Sequence, residues 1–342
     1  MDGHWGRSMF ITLHMGMHKT GTSSLQHWLG ANARKLARDN ISVKTHWTDL
    51  NARNPLHFAP DQARAELARL KAQGVERLIV SDETLSLFSR SQHQALAEIL
   101  QGYIVDAVIV FRHWCGYLPS RWAQNVKRRD AEPFGEFLER RGGPDRDFRL
   151  VMDNLSGLEL RNIRVVSYDN AVAGAGVVRT VADALGLQSE PVEDARRNPA
   201  WAISDIDRLR LFNGAFADAT GVGPNDMMAS FATYRPPDRY FDLPYSKVMG
   251  AAQKSRGHLD GLDGMIVEAR RDFAMSPEFF RLSEKELEAR VEGLVVNPVH
   301  GKLFGTVEPQ MVTASDLSFE HLPADLKDWL RGIVRKCVPA GR

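Results

Sequence analysis

The first half of the chain alternates short apolar runs with longer amphipathic stretches. Apolar runs at 9–13, 78–80, 107–111 and 162–166 predict buried strands. Between them apolar residues recur at helical spacing, as in 25–37, which predicts intervening helices. Strands that alternate with helices favour a parallel sheet covered on both faces. The pattern therefore predicts an α/β fold with a central parallel sheet flanked by helices.

The second half of the chain is less regular. Residues 219–248 are rich in Gly, Pro, Tyr and Met and predict a long loop, which in a compact protein is often a lid or binding segment. Residues 324–336 predict a closing helix. We therefore expect a core at 1–215 and a helical, loop-rich extension at 216–342 that packs on it.

Unusual polar residues follow the predicted strands. They are the loop at 16–24, Asp82 and Glu83 after the strand at 78–80, Arg112, and Tyr168. The carboxyl ends of parallel strands share one edge of a sheet, and ligands of such folds bind there. The convergence of these residues on one edge predicts a binding site.

The loop at 16–24 reads GMHKTGTSS and joins the first strand to the first helix. Loop N–H groups and the start of a helix together favour an anion. Lys19 adds a full positive charge, and hydroxyl donors come from Thr20, Thr22, Ser23 and Ser24. A nucleotide-triphosphate loop ends in Gly-Lys-Ser/Thr, whereas Lys19 here precedes Gly21 by two positions. The structural alternative is a loop that only uses Gly and Thr to enter a helix.

Composition narrows the class of protein. The chain has 342 residues and a formal net charge of +1, so nothing points to nucleic acid as a global partner. Two cysteines far apart, Cys115 and Cys337, indicate a reducing compartment rather than a disulfide framework. We see no signal peptide and no apolar run of membrane-spanning length. The sequence predicts a soluble cytoplasmic protein.

The order Lys-Thr-Gly-Thr-Ser-Ser resembles the 5′-phosphosulfate loop of sulfotransferases that use 3′-phosphoadenosine 5′-phosphosulfate (PAPS). The wider stretch HMGMHKTGTSSLQ is similar to the bacterial branch of that family. Family members also carry an Arg at a strand end and a Ser eight positions later, which hold the 3′-phosphate. Arg112 and Ser120 keep this spacing, although residues 113–119 depart from the usual Arg-Asp-Pro opening.

Two further matches extend the resemblance to residues 10–215. Tyr168 resembles the family's tyrosine that lies against the adenine, and Arg197 with Asn198 resembles a basic loop near the 3′-phosphate. The resemblance implies a P-loop-like fold in which residues 1–215 bind PAPS. It also implies that residues 216–342 contribute to the site of the sulfuryl acceptor.

The implied reaction transfers a sulfuryl group from PAPS to a hydroxyl, possibly of a carbohydrate or glycolipid, and leaves adenosine 3′,5′-bisphosphate. By this resemblance Lys19 neutralises charge on the leaving oxygen, the loop hydroxyls hold the 5′-phosphosulfate, and His18 contacts the sulfuryl group. Glu83 is the first choice of general base, Asp82 the second, and the outside candidates are His18, His46 and His57. The scheme requires no metal.

Two other functions stay open at this stage. A P-loop kinase would use ATP, with Asp82 holding Mg²⁺ at the end of its strand. A protein of the same fold could also bind a nucleotide without catalysis. The segments at 44–60, 84–95 and 219–248 are expected to select the acceptor, whose identity stays open. The oligomeric state is equally open.

Overall fold

The structure is a computed structural model of the chain. It describes residues 9–17, 19–45, 60–127, 130–141, 148–187, 201–221, 245–275, 281–297, 302–305 and 310–337.

Five parallel strands form the central sheet, in the order β2-β3-β1-β4-β5. Their bounds are β1 Phe10–Gly16, β2 Ile41–Lys44, β3 Arg77–Ser81, β4 Ile104–Phe111 and β5 Asn162–Ser167. Strands β1, β3 and β4 are almost entirely buried, as the apolar runs predict. The predicted α/β fold with a central parallel sheet flanked by helices is confirmed.

The strand register brings the predicted polar positions to one edge. In β1, His14 pairs with Ser81 of β3 and Gly16 pairs with Val110 of β4. Phe111 of β4 in turn pairs with Ser167 of β5. The carboxyl ends of β1, β3, β4 and β5 therefore lie at similar positions along the strand direction. The residues that follow each of these strands emerge at the same edge of the sheet.

Thirteen α-helices are described. They are α1 Thr22–Arg38, α2 Pro60–Ala72, α3 Arg90–Leu100, α4 Trp114–Lys127, α5 Phe134–Arg141, α6 Phe148–Leu155, α7 Tyr168–Ala173, α8 Val177–Ala184, α9 Ile203–Thr220, α10 Tyr245–Ala252, α11 Arg256–Glu268, α12 Arg281–Val291 and α13 Ala324–Cys337. Helices α1 and α8 pack their apolar faces on the sheet through a core that includes Leu25, Leu29, Val178 and Val181. This packing fixes the start of α1 over the strand ends.

The described residues group into two compact units, each built from several stretches of chain. Unit 1 takes its described residues from 1–114, 146–198 and 280–307, and it contains the parallel sheet. Unit 2 takes them from 115–145, 199–279 and 308–342. Residues 115–145, predicted as core, thus group with later parts of the chain, and residues 280–307 group with the sheet. The boundary at residue 215 stays a prediction.

A late segment joins the sheet of unit 1 beside β5. Val165 forms an isolated parallel bridge with Val295. Its N–H donates to Leu294 O at 2.9 Å, and its carbonyl accepts from Val296 N at 2.9 Å. Residues 294–297 therefore extend the sheet edge, although β5 lies about 130 residues earlier in the sequence. No local pattern predicts this return, because its pairing partner is so distant along the chain.

Unit 2 packs helices around a second core. Its buried residues come from α9, α10, α11, α13 and the segment 317–322, with Leu211, Phe212, Leu330 and Ile333 among them. The predicted helical character of the C-terminal part is present, and α13 lies where the closing helix was expected. The unit also contains strands β6 Arg270–Met275 and β7 Gln310–Ser315, which pair antiparallel and were not predicted.

Helix α4 begins at Trp114, so Pro119 lies inside the helix. In the part of the chain described here, no helix has the length and apolar character needed to cross a membrane.

Candidate functional site

The loop between β1 and α1 is held in a left-handed backbone conformation. Lys19 has φ 66° and Gly21 has φ 77°, and only the glycine adopts such angles without steric cost. A Cβ on Gly21 would also meet Val177 Cγ1 at 3.0 Å. The hydroxyl of Thr20 donates to Met17 O across the loop. Lys19 therefore holds a strained conformation inside a closed turn, which is a feature of functional sites.

Three small residues form a cradle beneath this loop. A Cβ added to Gly16 would lie 2.7 Å from Thr22 Oγ1 and 2.9 Å from Thr20 Oγ1, so a larger residue there would displace both hydroxyls. Both threonines are buried, and Thr22 Oγ1 has no hydrogen-bond partner among the described residues. Ser23 is exposed and Ser24 is half-buried in the next turn. The cradle thus keeps an unused hydroxyl donor at the start of α1.

The start of α1 has spare donors of its own. The helix begins after Gly21 without a side-chain cap, and its first turn contains no acidic residue. The first N–H groups of a helix lack partners within the helix, and the helix dipole adds positive partial charge there. The loop and helix start together fit an anionic group such as a phosphate.

Arg112 links the end of β4 to the loop and to Tyr168 at this edge of the sheet. It follows β4, and its Nη1 donates to Lys19 O at 3.0 Å. Its Cζ lies 4.8 Å from the ring centroid of Tyr168, a cation–π distance. Tyr168 Cε2 is in turn 3.9 Å from the position of a Cβ on Gly21. The structure therefore brings together the loop, Arg112 and Tyr168, as the strand-end pattern predicts.

Ser120 lies within α4, where it is half-buried, and it belongs to unit 2. Its role beside Arg112 stays a prediction. Three other predicted site residues, His18, Arg197 and Asn198, lie outside the described residues. The alternative bases His46 and His57 also lie outside them.

Asp82 and Glu83 follow β3 and differ in their environment. Asp82 is buried, and its Oδ1 accepts from Thr84 N at 2.8 Å and from Thr84 Oγ1 at 2.7 Å. It therefore caps the short 3₁₀ helix Glu83–Leu87. Glu83 opens that helix and is half-buried. Over the described ranges, no group of three or more His, Cys, Asp or Glu side chains could hold a metal ion.

His14 lies under the loop as a buried, neutral residue. Its Nδ1 is 2.8 Å from Ser81 Oγ, and its Cε1 is 3.3 Å from the Cβ position of Gly16. Burial lowers the pKa of His14 from 6.5 to about 4. The imidazole is therefore uncharged at neutral pH and contributes packing and one hydrogen bond beside the cradle.

The depressed pKa of His14 predicts a stability loss in mild acid. Its folded pKa lies below its unfolded value, so the unfolded chain binds the proton first, and stability falls as pH drops from about 6.5 toward 4. Between pH 7 and pH 5 we expect a loss of about 2 kcal/mol from this group. Urea unfolding at both pH values should show a smaller difference in His14→Gln than in wild type. The exposed His27, changed to Gln, serves as the control. An unchanged pH difference in His14→Gln would contradict the assignment.

Two supports of the site were not predicted. Asn297 pairs with the backbone of Ser167: its Oδ1 accepts from Ser167 N at 2.8 Å and its Nδ2 donates to Ser167 O at 2.9 Å. Asp169 Oδ2 accepts from His113 N at 2.7 Å. These bonds fix the backbone just before Tyr168 and just after Arg112. Asn297 carries no local sequence signal, whereas Asp169 directly follows a predicted site residue.

The chain has a distant structural likeness to a known protein. No family model matches the chain, and no curated protein matches it. Among solved structures, the chain is similar to a sulfotransferase from Alicyclobacillus acidocaldarius. The two share 14% sequence identity, and the match covers 66% of this chain and 96% of that chain with a TM-score of 0.36.

Proposed function

We propose that this protein is a sulfotransferase that moves a sulfuryl group from PAPS to a hydroxyl group of an acceptor. One observation carries the proposal: the loop containing Lys19, the strand-end residue Arg112 and the ring of Tyr168 lie together at the carboxyl edge of the sheet. Cations, hydroxyl donors and an aromatic face in one place fit a nucleotide with more than one anionic group.

The residues present fit PAPS in their chemistry. The cradle of Gly16, Thr20 and Thr22, with the start of α1, offers donors for the 5′-phosphosulfate. Arg112 suits the 3′-phosphate because its planar guanidinium can contact two oxygens. Tyr168 offers a flat face for the adenine. By resemblance Ser120, Arg197 and Asn198 would join Arg112, and His18, Ser23 and Ser24 would join the loop.

PAPS, when bound, supplies the sulfuryl group and a bisphosphate leaving group. The protein's own part is positioning and charge stabilisation, as in phosphoryl transfer. Lys19 stabilises the negative charge that develops on the leaving phosphate oxygen. Glu83 accepts the proton of the acceptor hydroxyl as the new oxygen–sulfur bond forms and the old one breaks. No step of this scheme needs a metal ion.

Glu83 is the preferred base because Asp82 already serves as a helix cap. Asp82 Oδ1 accepts hydrogen bonds from Thr84 N and Thr84 Oγ1, so this carboxylate holds the local backbone. We place the acceptor in the class of carbohydrates or glycolipids with a free hydroxyl, since a glutamate base is found in several carbohydrate sulfotransferases. The loop sequence resembles that of bacterial-type enzymes, and the two distant cysteines fit a reducing compartment such as the cytoplasm.

One feature favours a P-loop kinase as the second candidate. Asp82 follows β3, the strand that pairs with β1, and this is where such enzymes place an acid for Mg²⁺. The order of Lys19 before Gly21 and the presence of Arg112 speak against it, because ATP has no 3′-phosphate for Arg112 to hold.

Calorimetric titration separates the two candidates. We expect adenosine 3′,5′-bisphosphate to bind without metal, and Arg112→Ala to weaken that binding by about 100-fold, the loss expected for a charge-assisted contact of about 3 kcal/mol. The matched control is Arg179→Ala, an exposed arginine of α8 in the same unit. Binding of ATP with Mg²⁺ in place of the bisphosphate would overturn the sulfotransferase proposal and favour the kinase.

A further inference from the structure

Gln26 makes an unusual pair of hydrogen bonds near the candidate site. It lies in α1, four residues after Thr22. Its single amide nitrogen, Nε2, donates to Thr45 O and to Ser81 O, both at 2.9 Å. Thr45 directly follows β2 and Ser81 ends β3. One side chain of the anion-binding helix thus holds the ends of two neighbouring strands.

The strand end that Gln26 holds is the one that leads to the proposed base. Ser81 also contacts His14 Nδ1 through its Oγ at 2.8 Å, and the next residue, Asp82, donates its N–H to His14 O at 3.0 Å. Glu83 then opens the 3₁₀ helix that Asp82 caps. The backbone that presents Glu83 is therefore fixed from β1 on one side and from α1 on the other.

We propose that Gln26 is a positioning residue, which holds the Ser81–Glu83 turn at a fixed place relative to the anion loop at the start of α1. This inference rests on the proposed function, because it assumes that the loop holds the sulfuryl donor and that Glu83 acts on the acceptor. Gln26 itself touches neither group in this scheme.

The chemistry of the contact explains why an amide is needed. Two carbonyl oxygens at strand ends require two hydrogens, and a primary amide nitrogen supplies both from one atom. A methionine of similar length fills the same space but donates no hydrogen bond. Both carbonyls would then lose the donor that Gln26 supplies, and this tie between the strand ends and α1 would be gone. Catalysis depends on such placement to within about 1 Å.

A matched pair of variants tests the proposal. Gln26→Met removes the two long-range bonds, whereas Asn32→Leu removes an amide of the same helix that donates to Trp28 O within α1, also at 2.9 Å. We expect the affinity of Gln26→Met for adenosine 3′,5′-bisphosphate to stay within about threefold of wild type, because the anion contacts are intact. Its PAPS turnover, measured as bisphosphate release with water as acceptor, should fall by about tenfold or more. Asn32→Leu should retain wild-type turnover.

Hydrogen exchange gives a readout that does not depend on turnover. In the protein without ligand, amides of residues 82–87 should exchange faster in Gln26→Met than in wild type or Asn32→Leu. Unchanged exchange and turnover in Gln26→Met would overturn the proposal, as would equal losses in the two variants. If wild type binds no bisphosphate, the sulfotransferase proposal fails, while the exchange rates still decide whether Gln26 holds this turn. Should Gln26→Met fail to fold, Gln26→Asn, whose shorter amide cannot span both carbonyls, replaces it in both measurements.

Discussion

Lys19→Gly is expected to lower PAPS turnover by about 1000-fold, while the melting temperature stays within a few degrees of that of wild type. The loss of activity follows from the loss of the cation that stabilises the leaving phosphate, since removing one such electrostatic contact costs about 10²–10³ in rate and here a full charge is lost. Turnover is measured with water or a carbohydrate acceptor, and stability by thermal unfolding.

The unchanged stability follows from the backbone of the loop. Lys19 has φ 66°, a conformation that costs a non-glycine residue roughly 1–2 kcal/mol. Glycine removes that strain. It also lowers the free energy of the unfolded chain by about 0.4–1 kcal/mol, because that chain gains conformational entropy, so the two effects on stability nearly cancel. Asn40 has a similar backbone conformation, with φ 57° at the far end of α1, although an asparagine adopts it at lower cost.

Asn40→Gly is therefore the matched control for Lys19→Gly. It relieves the same kind of backbone conformation but removes no charge from the anion loop, so turnover should remain at the wild-type level. Equal turnover in Lys19→Gly and wild type would contradict a catalytic role for this lysine. A large loss of stability in Lys19→Gly alone would instead indicate that its side chain mainly supports the fold.

Glu83→Gln is expected to lower PAPS turnover by about 10²–10⁴, the usual contribution of a general base. Glutamine has nearly the same shape as glutamate but cannot accept a proton at neutral pH. The affinity for adenosine 3′,5′-bisphosphate and the melting temperature should stay close to those of wild type. Turnover is measured under saturating PAPS with a panel of hydroxylated carbohydrates.

Asp82→Ala should mainly lower the stability of the protein rather than its turnover. This change removes the cap whose Oδ1 accepts from Thr84 N and Thr84 Oγ1, which costs about 1 kcal/mol of stability. The melting temperature should fall, with a much smaller loss of turnover than in Glu83→Gln. If Asp82→Ala abolishes turnover and Glu83→Gln does not, Asp82 is the general base and Glu83 is not.

The arrangement of strand, loop and helix at the start of the chain could be predicted because all its determinants are local. The buried run of β1, the glycines at 16 and 21, and the apolar spacing of α1 lie within 30 residues. The same holds for β3, β4 and β5, whose apolar runs mark their positions to within a few residues. Parallel strands then fix which polar residues share an edge, so Lys19, Arg112 and Tyr168 could be expected near one another.

What the sequence by itself determined is this set of elements and the edge at which their polar residues meet. The tertiary structure alone decided which side chains hold that edge. The amide of Gln26 reaches Ser81, 55 residues away, and Asn297 pairs with Ser167 across 130 residues. Neither contact leaves a periodic or local pattern in the sequence. Each depends on strand register and on the return of a late segment to β5, and these are set by the packing of the whole unit.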